Sequence, residues 1–274
     1  MGDGDVLQTH EIAGAEAELV NGTNGDVPLN DSPSRSRLAR VTRGFGWLFI
    51  NVGLFLVGFV IHALFITTYF SNQNQGALAE QRIENYKTVV IEEVEWTPPT
   101  DVLAIEDPQT GELISQGPTE ILTIKQESVP PLGEAFAIIR ADIPSLANGW
   151  NVVEGVSVAN LKNGAGHMPG TPLPGQPGNS VIAGHRTTYG APFSDLDLLE
   201  IGDPIEVETA LGLNVYVVRE VIIVDPTDVW VTDNRDGAWL TLTTCEPKFS
   251  ARKRLIVFAE LVSGPNFATI QGSL

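Results

Sequence analysis

Cysteine is almost missing from this 274-residue chain: Cys245 is the only one. A single thiol cannot close an internal disulfide, so a disulfide-stapled scaffold is excluded. Positive charge is scarce too. Sixteen Lys and Arg stand against 34 Asp and Glu, a formal net charge of −18. Residues 1–43 hold seven acids and four arginines, and residues 71–274 hold 27 acids and 12 bases, so most of the imbalance lies in the second stretch. A surface of that sign repels phosphate backbones, which argues against a nucleic-acid partner. One Cys and four scattered His do not supply the donor set of a zinc site, and no metal or other cofactor is expected. No internal repeat is visible.

Charged side chains are absent altogether from residues 46–70, a run of 25 residues. At helical rise that length exceeds the roughly 30 Å of hydrocarbon in a bilayer, so it predicts one transmembrane helix. Arg35, Arg37, Arg40 and Arg43 precede it, and residues 71–79 carry no basic side chain. Basic flanks stay inside, which predicts a cytoplasmic N-terminus and an extracytoplasmic remainder. Trp47, Tyr69 and Phe70 sit where interfacial aromatics belong. Ala77-Leu78-Ala79 fits a signal-peptidase pattern, but the apolar run exceeds an h-region of about 7–15 residues and its leading tail is too long. An uncleaved anchor is therefore expected.

The rest divides by texture. Residues 1–45 are rich in Gly, Asp, Glu, Asn and Ser and read as a disordered cytoplasmic tail. Residues 71–133 mix turn signals with strand-prone pieces at 88–91 and 121–124, and read as a stalk able to dock on a folded domain over 134–264. Residues 265–274 form a C-terminal tail. Within the domain, β-branched runs at 136–139, 181–183, 204–208, 215–218, 221–224, 239–242 and 255–259 alternate with Gly, Pro, Asn and Asp. Strands at that spacing predict an all-β sandwich or barrel. Residues 210–214 read as a hairpin turn, and 156–161 and 194–199 as short helices. Residues 167–179 read as a loop, because their prolines remove ladder donors.

Few residues here are able to carry chemistry. Cys245 ends the run Thr241-Leu242-Thr243-Thr244, and Pro247 stops the strand just beyond it. Unpaired in an oxidising compartment, it is either a small core residue or a reactive thiol. His10 falls in the tail and His62 in the membrane run, which leaves His167 in the Gly/Pro loop and His185 after Val181-Ile182-Ala183-Gly184. A thiol nucleophile needs a proton acceptor and donor beside it, and His185, closing a strand, is the better placed of the two. Arg252-Lys253-Arg254 is the densest basic spot of the domain. Period-2 geometry puts Arg252 and Arg254 on one strand face, either as edge charges or as a guanidinium for a developing oxyanion.

These pieces also occur together in a known order. Thr241-Leu242-Thr243-Thr244-Cys245 resembles the TLxTC signature of sortases. Asn179-Ser180-Val181-Ile182-Ala183-Gly184-His185-Arg186 resembles the strand that ends in their histidine, and Arg254-Leu255-Ile256-Val257 the arginine opening their last strand. Residues 166–179 are similar to the loop before that histidine strand, which gives His167 a loop role. Residues 185–193 and 245–251 look most like class E sortases of high-GC Gram-positive bacteria.

The resemblance implies an eight-stranded sortase-type β-barrel with short helices behind one transmembrane helix, acting as a cysteine transpeptidase without a cofactor. It implies Cys245 as nucleophile, His185 as acid/base and Arg254 as oxyanion partner. Thr244, beside the cysteine, and Tyr189, four residues past His185, are the substrate-side candidates. Implied partners are proteins with a C-terminal LAxTG- or LPxTG-type sorting signal, cut at Thr–Gly, and an amine of a cell-wall precursor. A pilus-polymerising member would use a lysine acceptor and often an Asp-Pro-Trp lid; Asp107-Pro108-Gln109 and Asp225-Pro226-Thr227 lack that aromatic. A non-catalytic tethered surface module is the remaining alternative.

Overall fold

The computed structural model describes residues 33–98, 105–106, 113–114 and 121–271. The expected tail before Pro33 and the Asp107-Pro108-Gln109 segment lie outside the described residues. The chain divides into two units, Met1–Gly53 and Leu54–Leu274.

Helix α1, Pro33–Ile61, makes residues 33–45 helical where an unfolded tail was expected. Its stretch Arg37–Ile61 is, among the described residues, the one helix long and apolar enough to cross a membrane. Phe49 and Phe55 on it stand exposed. A π-helical turn, His62–Ile66, leads into α2, Thr67–Thr88. The helix therefore does not stop at Phe70, and the first part of the expected stalk is α2, lying on the barrel through polar contacts. Arg82 Nε donates to Asn151 Oδ1 at 2.8 Å, and Gln75 Oε1 accepts from the Asn151 amide at 2.9 Å. Gln81 Oε1 accepts from the Ala135 amide at 3.0 Å, and Tyr86 Oη donates to the Glu208 carbonyl at 2.9 Å. Each such bond contributes only about 1 kcal/mol net, so the docking depends on their number.

Beyond α2, β1 (Ile91–Trp96) pairs antiparallel with β4 (Leu122–Glu127), and β2 (Ile105–Glu106) with β3 (Leu113–Ile114). The barrel strands follow: β5 (Ala135–Ala141), β6 (Trp150–Glu154), β7 (Ala165–His167), β8 (Gly178–Ala183), β9 (Pro204–Thr209), β10 (Gly212–Val224), β11 (Ala238–Glu246) and β12 (Lys253–Ser263). They close into an eight-stranded barrel in the order β10-β12-β11-β8-β7-β6-β5-β9. Between β6 and β7 lies α3 (Val158–Leu161), whose Asn160 amide is capped by the Ser157 hydroxyl. A short α4 (Phe267–Gln271) buries Ile270 where a tail was expected.

The two runs read at 215–218 and 221–224 are one strand, β10, with a register shift between Val218 and Glu220. Its hairpin with β9 pairs Gly212 with Thr209, leaving Ala210 and Leu211 as the turn. Strand β12 is buried on both faces. Leu255, Val257, Ala259 and Leu261 join Leu240 and Leu242 in the main core, while Ile256 and Phe258 join Val231 in a second cluster. Burial on both sides is why this strand reads as an unbroken apolar run rather than an alternation.

Candidate active site

Strand direction assembles the site. β8 runs parallel to β11, so both deliver their C-terminal ends to one rim of the barrel. β12 runs antiparallel to β11 and begins at that same rim. His185 lies just past β8, Cys245 near the end of β11 and Arg254 near the start of β12. Cys245 and Arg254 are direct partners in the β11–β12 ladder.

Two bonds fix the β8 end to β11. The Gly184 amide donates to the Thr243 carbonyl at 3.1 Å, and the Thr244 hydroxyl donates to the Gly184 carbonyl at 2.7 Å. Thr244 is buried, and Cys245, on the opposite face of the strand, is half-buried with a free thiol. The Thr244 hydrogen is thus committed to the backbone preceding His185 rather than offered to the cysteine.

His185 is half-buried, and among the described residues its Nε2 has no hydrogen-bond partner. Burial pushes its pKa below the ordinary value, and the charge of Lys162 pushes it further the same way. The ring is therefore a neutral imidazole at neutral pH, able to accept a proton. Tyr189 packs on it with ring centroids 5.1 Å apart at 39°. Arg254 Nη1 donates to the Ala251 and Lys253 carbonyls, each at 3.0 Å, and among the described residues no carboxylate pairs with it. Also among the described residues, no cluster of His, Cys, Asp and Glu is placed to hold a metal ion.

A family model for the sortase domain matches residues 141–262. Sortase D of Bacillus subtilis (strain 168) is 32% identical over 139 residues, covering 49% of this chain and 67% of that protein. The chain belongs to the sortase family. Sortase SrtE1 of Streptomyces coelicolor is 34% identical over 146 residues, covering 47% of this chain and 41% of that protein. Sortase SrtE2 of the same organism is 31% identical over 138 residues, 44% of this chain and 54% of that protein. The chain thus spans about half the length of these two curated relatives. Among solved structures, sortase E of Streptomyces avermitilis is 38% identical with a TM-score of 0.45, covering 51% of this chain and 95% of that chain.

In this sortase His167 is not a loop residue. It ends β7 and is 1% exposed, with Nδ1 2.7 Å from Glu154 Oε2 and Nε2 3.0 Å from the Pro172 carbonyl. Thr171 Oγ1 also lies 3.0 Å from Nε2, so the distances mimic a Thr-His-Glu nucleophile triad. The Thr171 hydroxyl, however, donates to the Met168 carbonyl at 2.8 Å, and the Pro172 carbonyl also lies within hydrogen-bond distance of Nε2, so the hydroxyl hydrogen is committed to the backbone rather than to the ring. These groups hold the 167–172 turn together.

Sequence reasoning passed over Arg186. Its guanidinium is buried and bridges Glu246 at 2.6 Å and Asp197 at 3.1 Å, while Nη1 reaches the Cys245 carbonyl at 3.4 Å. The residue after the histidine therefore clamps the backbone of the cysteine. Glu246 lies 60 residues away in the chain, so no spacing rule marks the clamp.

Proposed function

We propose that this chain is a membrane-anchored cysteine transpeptidase that cuts a C-terminal LAxTG- or LPxTG-type sorting signal between Thr and Gly and transfers the protein to an amine of a cell-wall precursor. The observation that carries this reading is the convergence of His185, Cys245 and Arg254 on one rim through three adjacent strands. Family membership supports it. The apolar stretch Arg37–Ile61 supports the anchor, with Arg35, Arg37, Arg40 and Arg43 favouring a cytoplasmic N-terminus and an extracytoplasmic barrel.

In this mechanism neutral His185 takes the thiol proton as Cys245 Sγ attacks the Thr carbonyl carbon. The carbonyl oxygen becomes an oxyanion, which the Arg254 guanidinium stabilises. Collapse breaks the C–N bond, His185 returns its proton to the departing glycine amine, and a thioacyl intermediate remains. The acceptor amine then attacks that carbonyl and gives its proton to His185. The C–S bond breaks, and the sulfur regains a proton from the imidazolium.

The test is ligation by the full-length chain in detergent, offered an LAxTG peptide, an LPxTG peptide and a diaminopimelate-type amine. A ligated product lost on Cys245→Ala is expected, and Arg254→Ala should lower the rate by about 10²–10³. If the wild-type protein neither cleaves nor ligates either peptide, the proposal is contradicted.

A further inference from the structure

Helix α2 reaches the loop that carries Tyr189. Ser71 is 2% exposed, and its hydroxyl donates to the Tyr189 carbonyl at 2.9 Å. One turn earlier, Thr68 Oγ1 accepts from the Gly190 amide at 3.4 Å. The loop they hold is an unusual one. Tyr189, Gly190 and Ala191 are all left-handed, with φ of 53°, 77° and 45°. Two of the three carry a Cβ, so this backbone persists only where its surroundings over-determine it. Trp150 closes one side, directly against the α-carbon of Gly190. Ser71 Oγ lies beside the same Gly190 position and supplies the hydrogen bond to the Tyr189 carbonyl.

The same helix holds a second neighbour of the Tyr189 ring. Lys162 Nζ lies 5.6 Å from the ring centroid. The next residue, Asn163, is fixed by Asn74 Nδ2 on its Oδ1 at 3.0 Å and by Gln75 Nε2 on its carbonyl at 2.7 Å. So one helical stretch fixes both the backbone that carries the aromatic ring packed on His185 and the backbone next to Lys162.

We infer that Ser71 is a positioning residue for the acid/base histidine: by holding the left-handed Tyr189 backbone it keeps the Tyr189 ring against the His185 imidazole. The helix leading into the barrel is then part of the catalytic apparatus as well as a tether. This inference rests on the acyl-transfer reading of the site.

The experiment compares full-length wild type, Ser71→Ala and Asn85→Ala in detergent. Asn85, on the same helix, donates to the Ala135 carbonyl at 3.0 Å, away from the Tyr189 loop. It controls for a general loosening of α2. Three quantities are read: the melting temperature, kcat and KM for peptide transfer, and the His185 ring-proton resonance by NMR. Both variants should melt lower by similar amounts. Ser71→Ala alone should lower kcat roughly 10- to 100-fold at near-constant KM, and should move the His185 resonance as the Tyr189 ring current is lost. Equal kcat losses in both variants, or an unmoved resonance with wild-type kcat in Ser71→Ala, overturn the inference. Wild type inactive on every peptide refutes the acyl-transfer reading instead; the resonance then still shows whether Ser71 holds the ring in place.

Discussion

The hydroxyl of Thr244 donates a 2.7 Å hydrogen bond to the carbonyl of Gly184, so the residue before the cysteine holds the residue before the histidine. Thr244→Val keeps the shape and leaves that carbonyl unpaired in the interior. A loss of about 1–3 kcal/mol is expected by chemical denaturation. Thr244→Ser, which keeps the donor, should recover most of it. Equal losses in both variants would assign the effect to packing.

His185 sets the expected pH profile. Burial, and then Lys162, hold its pKa below the ordinary 6.5. The neutral ring therefore persists to lower pH than in a free histidine, and the acid limb of kcat/KM should fall below 6.5. Lys162→Met should move the limb upward only part of the way, because burial is the larger cause. Linkage has the same sign. Below 6.5 the unfolded chain takes up the proton more readily, so stability falls as pH drops through the folded pKa. An acid limb at or above 6.5 in wild type would contradict this.

Glu127 behaves in the opposite way. It is 3% exposed, and burial raises its pKa to about 7, with Thr209 and the amides of Ala210 and Leu211 partly opposing the shift. Between 4.5 and about 7 the folded state binds the extra proton, so Glu127 costs stability as pH rises through that window. Glu127→Gln should remove the slope and stabilise the protein by on the order of a few kcal/mol above pH 7. Thermal melts at acidic and alkaline pH check it; parallel pH curves for the two proteins would refute it.

The loop role that the resemblance implies for His167 would make its replacement mild. Its buried pairing with Glu154 changes that outcome. His167→Ala leaves the buried Glu154 side chain without its 2.7 Å hydrogen-bond partner, and a loss of about 1–3 kcal/mol is expected. The doubly changed His167→Ala, Glu154→Ala protein should recover part of it. Denaturant titration of four proteins, wild type, His167→Ala, Glu154→Ala and the double variant, reads the coupling.

What the sequence disclosed follows from where each signal is stored. β8, β9, β11 and β12 announce themselves through their runs of Val, Ile, Leu or Thr, and the Thr241–Cys245 stretch lies on β11 while Asn179–Arg186 begins on β8 and runs past its end. β7, Ala-Gly-His, has no β-branched residue, so His167 read as a loop. Helix α2 carries no apolar stripe, since it docks through Gln75, Gln81, Arg82 and Tyr86, and hydrophobic periodicity cannot reveal a polar interface. Ser71 and Arg186 were hidden for a related reason: Ser71 acts on Tyr189, 118 residues away, and Arg186 on Glu246, 60 residues away, contacts that only the folded chain brings together.

The central claim, that Cys245 forms a thioacyl bond with His185 as its proton carrier, is tested most directly by intact-mass spectrometry of the full-length protein mixed with an LAxTG peptide and no acceptor amine. The account predicts an adduct of the acyl fragment on Cys245 that disappears when an amine is added. It predicts none in Cys245→Ala and greatly slowed formation in His185→Ala. An adduct that forms at the wild-type rate in His185→Ala, or a reactive Cys245 thiol that no sorting-signal peptide acylates, would contradict it.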